Sequence, residues 1–148
     1  MTDYKLLCEQ ITELSKESAD PVPLMANASA LLYHAMPDVN WVGFYNVKNG
    51  ELLLGPFQGN TACVRIQKGR GVCGTAWKTD STQLVPDVHA FPGHIACDAA
   101  SRSEIVVPIH RDGEVAAVLD IDSPVPDRFA EEDKEGLEAF AATLEQIM

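Results

Sequence analysis

The chain has 148 residues, enough for one domain of ordinary size and short for two. Hydrophobic residues make up 46% and charged residues 22%, a globular composition that excludes a disordered chain. With 22 acidic and 11 basic residues the net charge is −11, which repels nucleic acid and anionic membranes and excludes both as expected partners.

Tyr4, Leu7, Ile11 and Leu14 recur at helical spacing and predict a first amphipathic helix. Asp20-Pro21 reads as a cap with proline in the first turn of a second helix, which carries Leu24, Ala28, Leu31, Leu32 and Ala35 and stops before Pro37. Trp41 to Asn46 alternate as a strand. Asn49-Gly50 is a hairpin turn, and Glu51 to Leu54 return as its partner. Cys63 to Ile66 form a short strand candidate, Lys68-Gly69-Arg70-Gly71 a turn, Val72 to Lys78 a short helix and Gln83 to Val85 another strand. Pro86 to Ser103 show no period, and a stretch of that length in a compact domain is usually functional. Glu104 to Ile109 and Val115 to Ile121 are strands joined at Arg111-Asp112-Gly113. A last helix from about Glu131 buries Leu137, Phe140, Ala141, Leu144 and Ile147. The order predicts an α+β fold, residues 1–148 forming a single domain: an antiparallel sheet with the terminal helices on one face and functional loops on the other.

No apolar run reaches the roughly 18 residues of a membrane span. Acidic residues in the first ten positions stand where a signal peptide would be apolar, so a cytoplasmic location is expected. There structural disulfides are rare, and Cys8, Cys63, Cys73 and Cys97 are either inert or chemical. Three of them fall within 35 consecutive residues. Cys73 sits where a glycine turn feeds a helix, and the helix dipole there favours a thiolate. Cys97 lies in the long irregular stretch, with His94 placed to help hold a thiolate and Asp98 opposing it. Cys63 on a strand edge reads as core, and Cys8 on the first helix as a bystander. A zinc site from Cys63, Cys73, His89, His94 and Cys97 is the rival reading, weakened by the lack of any Cys-x-x-Cys pair. A Cys-His hydrolase has no orienting partner or oxyanion hole in view.

Glu104 opens one strand, and Asp120 and Asp122 end the next, on one face of it by strand alternation. Like charges so placed repel, an arrangement that makes sense with a cation between them; the plain alternative is a solvated strand end. Trp41 reads either as core or as an apolar contact for a ligand.

Gly55-Pro56-Phe57-Gln58-Gly59, Ala62-Cys63-Val64-Arg65-Ile66, Gly69-Arg70-Gly71-Val72-Cys73-Gly74-Thr75-Ala76, Val85-Pro86-Asp87-Val88, Phe91-Pro92-Gly93-His94-Ile95-Ala96-Cys97-Asp98 and Ser103-Glu104-Ile105-Val106-Val107-Pro108 together resemble the free methionine-(R)-sulfoxide reductases, enzymes built on a GAF domain. The resemblance implies a GAF-like fold and Cys97 as the catalytic cysteine that becomes a sulfenic acid, with Cys63 and Cys73 as resolving cysteines. It also implies Glu104, Asp120 and Asp122 as carboxylates that contact the substrate, Glu104 and Asp120 also on the catalytic side, and Trp41 as the aromatic contact for the methylsulfinyl end. Of the two resolving candidates Cys73 is preferred, for its place at a helix start. Thiolate attack on a sulfoxide needs a proton for the departing oxygen. A free amino acid brings an ammonium group that needs carboxylates. The implied partners are free methionine sulfoxide and a thioredoxin-like reductant, with a homodimer a possible assembly; neither metal nor organic cofactor is implied. The alternative function is a GAF sensor module that binds a small ligand without turnover.

Overall fold

Side-chain caps start the first two helices where the sequence places them. In the computed structural model of the chain, which describes residues 1–94 and 100–148, Asp3 accepts from the Leu6 amide at 3.0 Å and opens α1 (Tyr4–Leu14). Asp20 accepts from Val22 at 3.0 Å and opens α2 (Pro21–Ala35), whose first residue is the expected proline. After the hairpin of β1 (Trp41–Lys48) and β2 (Glu51–Gly59) come β3 (Arg65–Gln67), α3 (Gly71–Thr79) and β4 (Gln83–Val85). A single 3-10 turn, Val88–Ala90, lies within the stretch expected to be irregular. β5 (Ser103–Arg111), β6 (Glu114–Ser123) and α4 (Glu131–Ile147) complete the chain. No helix among the described residues is long and apolar enough to cross a membrane.

The six strands form one antiparallel sheet in the order β3-β2-β1-β6-β5-β4. β2 runs to Gly59, past the expected end at Leu54. The β1–β2 register shifts between Gly43 and Tyr45, so Gly43 faces Phe57 while Tyr45 faces Leu54. This bulge lets Gly55-Pro56 pass without breaking the ladder, since proline has no amide to donate.

Both faces of the sheet are covered. On one, α2 and α4 lie against the strands and α1 packs across both helices. Tyr4 Oη donates to Asp133 at 2.6 Å and ties α1 to α4, and Asp133 also caps α4 by accepting from the Ala130 amide at 2.8 Å. Ile11, Leu32, Leu119, Ile121, Leu137, Phe140 and Leu144 are fully enclosed in this core, and each contributes roughly 1.5–3 kcal/mol. The opposite face carries a second apolar cluster, including Trp41, Tyr45, Ile66, Val72, Cys73, Trp77 and Val118. As expected, the terminal helices share one face; the short α3 joins the loops on the other.

Candidate active site

Strand register brings the acidic residues together. One row across three strands reads Trp41, Asp122, Glu104, and the next row on the same face reads Gly43, Asp120, Val106. Glu104 and Asp122 are therefore direct cross-strand partners, a placement that destabilises a sheet when both are charged. All three carboxylates lie on the α3 face at 7%, 6% and 9% exposure for Glu104, Asp120 and Asp122, so they are not a solvated strand end. Burial first, then the charges of Asp120 and Asp122, push the Glu104 carboxyl well above its ordinary value. Burial also raises Asp120, against hydrogen bonding from Glu104, Cys73 and Asp122 that lowers it. Asp120 Oδ1 and Ser101 Oγ are buried and have no hydrogen-bond partner among the described residues.

The first turn of α3 forms the wall facing these acids. No side chain caps it, and Gly71, Val72 and Cys73 line the cavity. Cys73 Sγ, a Glu104 oxygen and an Asp120 oxygen lie within 4.8 Å of one another. The expected thiolate at this helix start does not hold. Burial, reinforced by the charges of Asp120, Glu104 and Asp122, drives the Cys73 thiol well above its ordinary value, and these outweigh the helix dipole.

Trp41 closes another side. Its ring stacks on Phe57 at 5.2 Å and on Tyr45 at 6.0 Å, and Nε1 donates to the Asn60 carbonyl at 3.0 Å. The indole fits because Gly43 has no side chain: a Cβ there would sit 2.6 Å from Trp41 Cη2 and press on the Phe57 Cβ. Tyr45 was not singled out in the sequence, although it lies four residues beyond Trp41 on the same strand face. Its hydroxyl donates to the Cys63 carbonyl at 2.8 Å, and burial followed by the Asp120 charge raises its pKa. Arg70, His94 and Ser101 also line the cavity, which encloses about 40 Å³, room for roughly three waters.

Cys63 lies just before β3 rather than in it, half-buried, and it is disulfide-bonded. Cys73 and Cys8 are free thiols, so the preference for Cys73 as the disulfide partner does not match this state. Cys97 lies outside the described residues. His94 is held below its ordinary pKa, by partial burial and then by His89, which opposes the role expected of it in supporting a neighbouring thiolate. Nor do the histidines gather as zinc ligands: the cluster with ligating geometry among the described residues is Cys73, Glu104 and Asp120.

The family model for the GAF domain matches residues 27–148. The chain is 55% identical over 124 residues to the free methionine-R-sulfoxide reductase of Escherichia coli, covering 84% of this chain and 75% of that one. The structure of fRMsr of Staphylococcus aureus in complex with substrate superposes with a TM-score of 0.94 at 50% identity, covering 99% of this chain and 96% of that one. The free methionine-R-sulfoxide reductase from Neisseria meningitidis, also in complex with its substrate, gives 0.93 at 46% identity, with 97% and 87% covered. By these matches this chain belongs to the GAF-domain family, among the free methionine-R-sulfoxide reductases.

Proposed function

We propose that residues 1–148 act as a single GAF domain that reduces free methionine-R-sulfoxide to methionine, by way of a cysteine sulfenic acid and an intramolecular disulfide. The observation that carries it is the enclosed trio Glu104, Asp120 and Asp122 beside the stacked rings of Trp41, Tyr45 and Phe57. An acid pocket next to an apolar wall suits a substrate with an ammonium at one end and a methyl sulfoxide at the other. The raised pKa of Glu104 supports it as the proton donor, because a carboxyl must be neutral to give a proton. Asp120 and Asp122 then face the ammonium.

The thiolate of Cys97 attacks the sulfoxide sulfur while the oxygen takes the Glu104 proton. The oxygen passes to the cysteine as a sulfenic acid and methionine leaves, so the substrate gains two electrons and the thiol loses two. A second thiol condenses with the sulfenic acid, forming the S–S bond and releasing water. The disulfide-bonded state of Cys63 beside a free Cys73 supports Cys63 as the first resolving thiol. A thioredoxin-like dithiol in the cytoplasm restores both by exchange.

Mass spectrometry of methionine released from free methionine sulfoxide under single turnover tests the assignment. Wild type and Cys8→Ser release stoichiometric methionine and Cys97→Ser releases none. Stoichiometric release by Cys97→Ser removes the nucleophile.

A further inference from the structure

An ammonium group and a proton do not account for every donor in the acid pocket. Cys73, a free thiol, places its sulfur within 4.8 Å of oxygens from both Glu104 and Asp120. Asp120 Oδ1 and Ser101 Oγ have no hydrogen-bond partner among the described residues, both residues line the cavity, and both are 6% exposed. An acceptor that is buried and faces a cavity in this way is open to a species that enters the cavity with positive charge. Sulfur is a poor partner for an ammonium and a good one for a thiophilic metal. Zinc takes thiolate and carboxylate together, with bonds of about 2.0–2.3 Å and four ligands in a tetrahedron.

We propose that this pocket is also an inhibitory site for a zinc-class divalent cation, bound by Cys73 Sγ, a Glu104 oxygen and Asp120 Oδ1, with a water held near Ser101 Oγ as the fourth ligand. Binding forms one metal–sulfur and two metal–oxygen bonds. The Cys73 thiol proton and any proton on Glu104 go to solvent, and nothing is oxidised or reduced. Magnesium and calcium, which prefer six or more oxygen ligands, are mismatched to three donors that include sulfur. The inhibitory part rests on the proposed function, since the same side chains would meet the substrate; the cation site does not.

Cadmium serves as a spectroscopic stand-in, because its bond to a thiolate gives an ultraviolet charge-transfer band. The protein is Cys8→Ser, kept in the form in which Cys63 is disulfide-bonded. Binding of one cadmium with this band is expected, with the band lost in Cys8→Ser/Cys73→Ser. Calorimetry with zinc should show affinity falling at least tenfold in Asp120→Asn and in Glu104→Gln, each checked for folding by circular dichroism, and magnesium should not compete. Absence of the band, its survival without Cys73, or unchanged zinc affinity in both carboxylate variants overturns the site. Free methionine sulfoxide is expected to weaken zinc binding in proportion to its concentration. If the band and the variant pattern appear and the sulfoxide does not compete, the cation site stands and the substrate assignment falls. Full turnover at saturating zinc overturns the inhibition.

Discussion

Glu104→Gln separates what the buried acids do for the reaction from what they do to the fold. Glu104 faces Asp122 across the β5–β6 ladder and is 7% exposed, so its charged form is opposed by burial and by two neighbouring carboxylates. Its pKa in the folded state is raised above the unfolded value of about 4.3. The sign follows: the stability this carboxyl allows is fully present below about pH 4.3 and is lost as pH rises through the folded value. At neutral pH the acid is therefore a burden on the fold. Glutamine keeps the shape, cannot ionise, and offers an amide donor to a pocket in which Asp120 Oδ1 lacks one. Relief of such functional strain commonly adds about 0.5–2 kcal/mol. At about 2–4 °C per kcal/mol, Tm at pH 7 should rise by roughly 1–8 °C, and by less at pH 4.5. Turnover should fall about 10²–10⁴-fold, or about 2.7–5.5 kcal/mol, if the carboxyl acts as the proposed proton donor. Scanning calorimetry at the two pH values and mass-spectrometric assay of methionine release measure both effects. Wild-type turnover in Glu104→Gln, or a stability change of the same size at both pH values, refutes the reasoning.

N-acetylation removes the ammonium charge and leaves the sulfoxide intact, so N-acetyl-methionine sulfoxide should lose at least about 100-fold in kcat/KM, about 2.7 kcal/mol; comparable rates would show that Asp120 and Asp122 do not read the ammonium. In Gly43→Ala the new methyl group falls 2.6 Å from the Trp41 ring, and overpacking there should cost about 1–3 kcal/mol in chemical denaturation and impair turnover. His110 contacts Glu145 through Nδ1 at 2.6 Å and Asp80 through Nε2 at 2.6 Å, and the Asp80 hydrogen bond is the largest cause of its raised pKa. Its side chain is 36% exposed, so the clamp is worth under ~1 kcal/mol after solvent screening. That stability is fully present below the unfolded value of about 6.5 and lost as pH rises through the folded one, so the advantage of wild type over Asp80→Asn in urea should vanish at high pH.

Long periodic elements were legible because their pattern is local: α1, α2, α4, β5 and β6 all lie where spacing, caps and turns place them. The end of β2 was not, because Gly55-Pro56 reads as a strand breaker until the pairing with β1 shows that both residues sit opposite Phe44 in a bulge of β2 itself. Asp120 and Asp122 could be placed on one face by alternation, but their pairing with Glu104 depends on the β5–β6 register. Cys73 shows why local chemistry misleads. A helix start favours a thiolate in isolation, whereas burial, reinforced by three carboxylates from β5 and β6 far away in sequence, decides the matter in the fold. Tyr45 and Ser101 carried no motif and gained their place only through the cavity they line.

The two edges of the sheet, β3 and β4, are only three residues long. An edge strand offers unpaired amides and carbonyls to any other chain, and its length sets how much of a foreign ladder it can template. On β3 the outer residues Arg65 and Gln67 are exposed, and Arg65 pairs with Glu51 of the neighbouring strand at 3.4 Å. Charge and brevity together make edge-to-edge aggregation unfavourable, although the central strands are rich in the apolar, β-branched sequence that amyloid uses. That protection leaves the interior strands free to be apolar on both faces. It also means that partial unfolding which peels β3 or β4 away would expose a far stickier edge than either one covers.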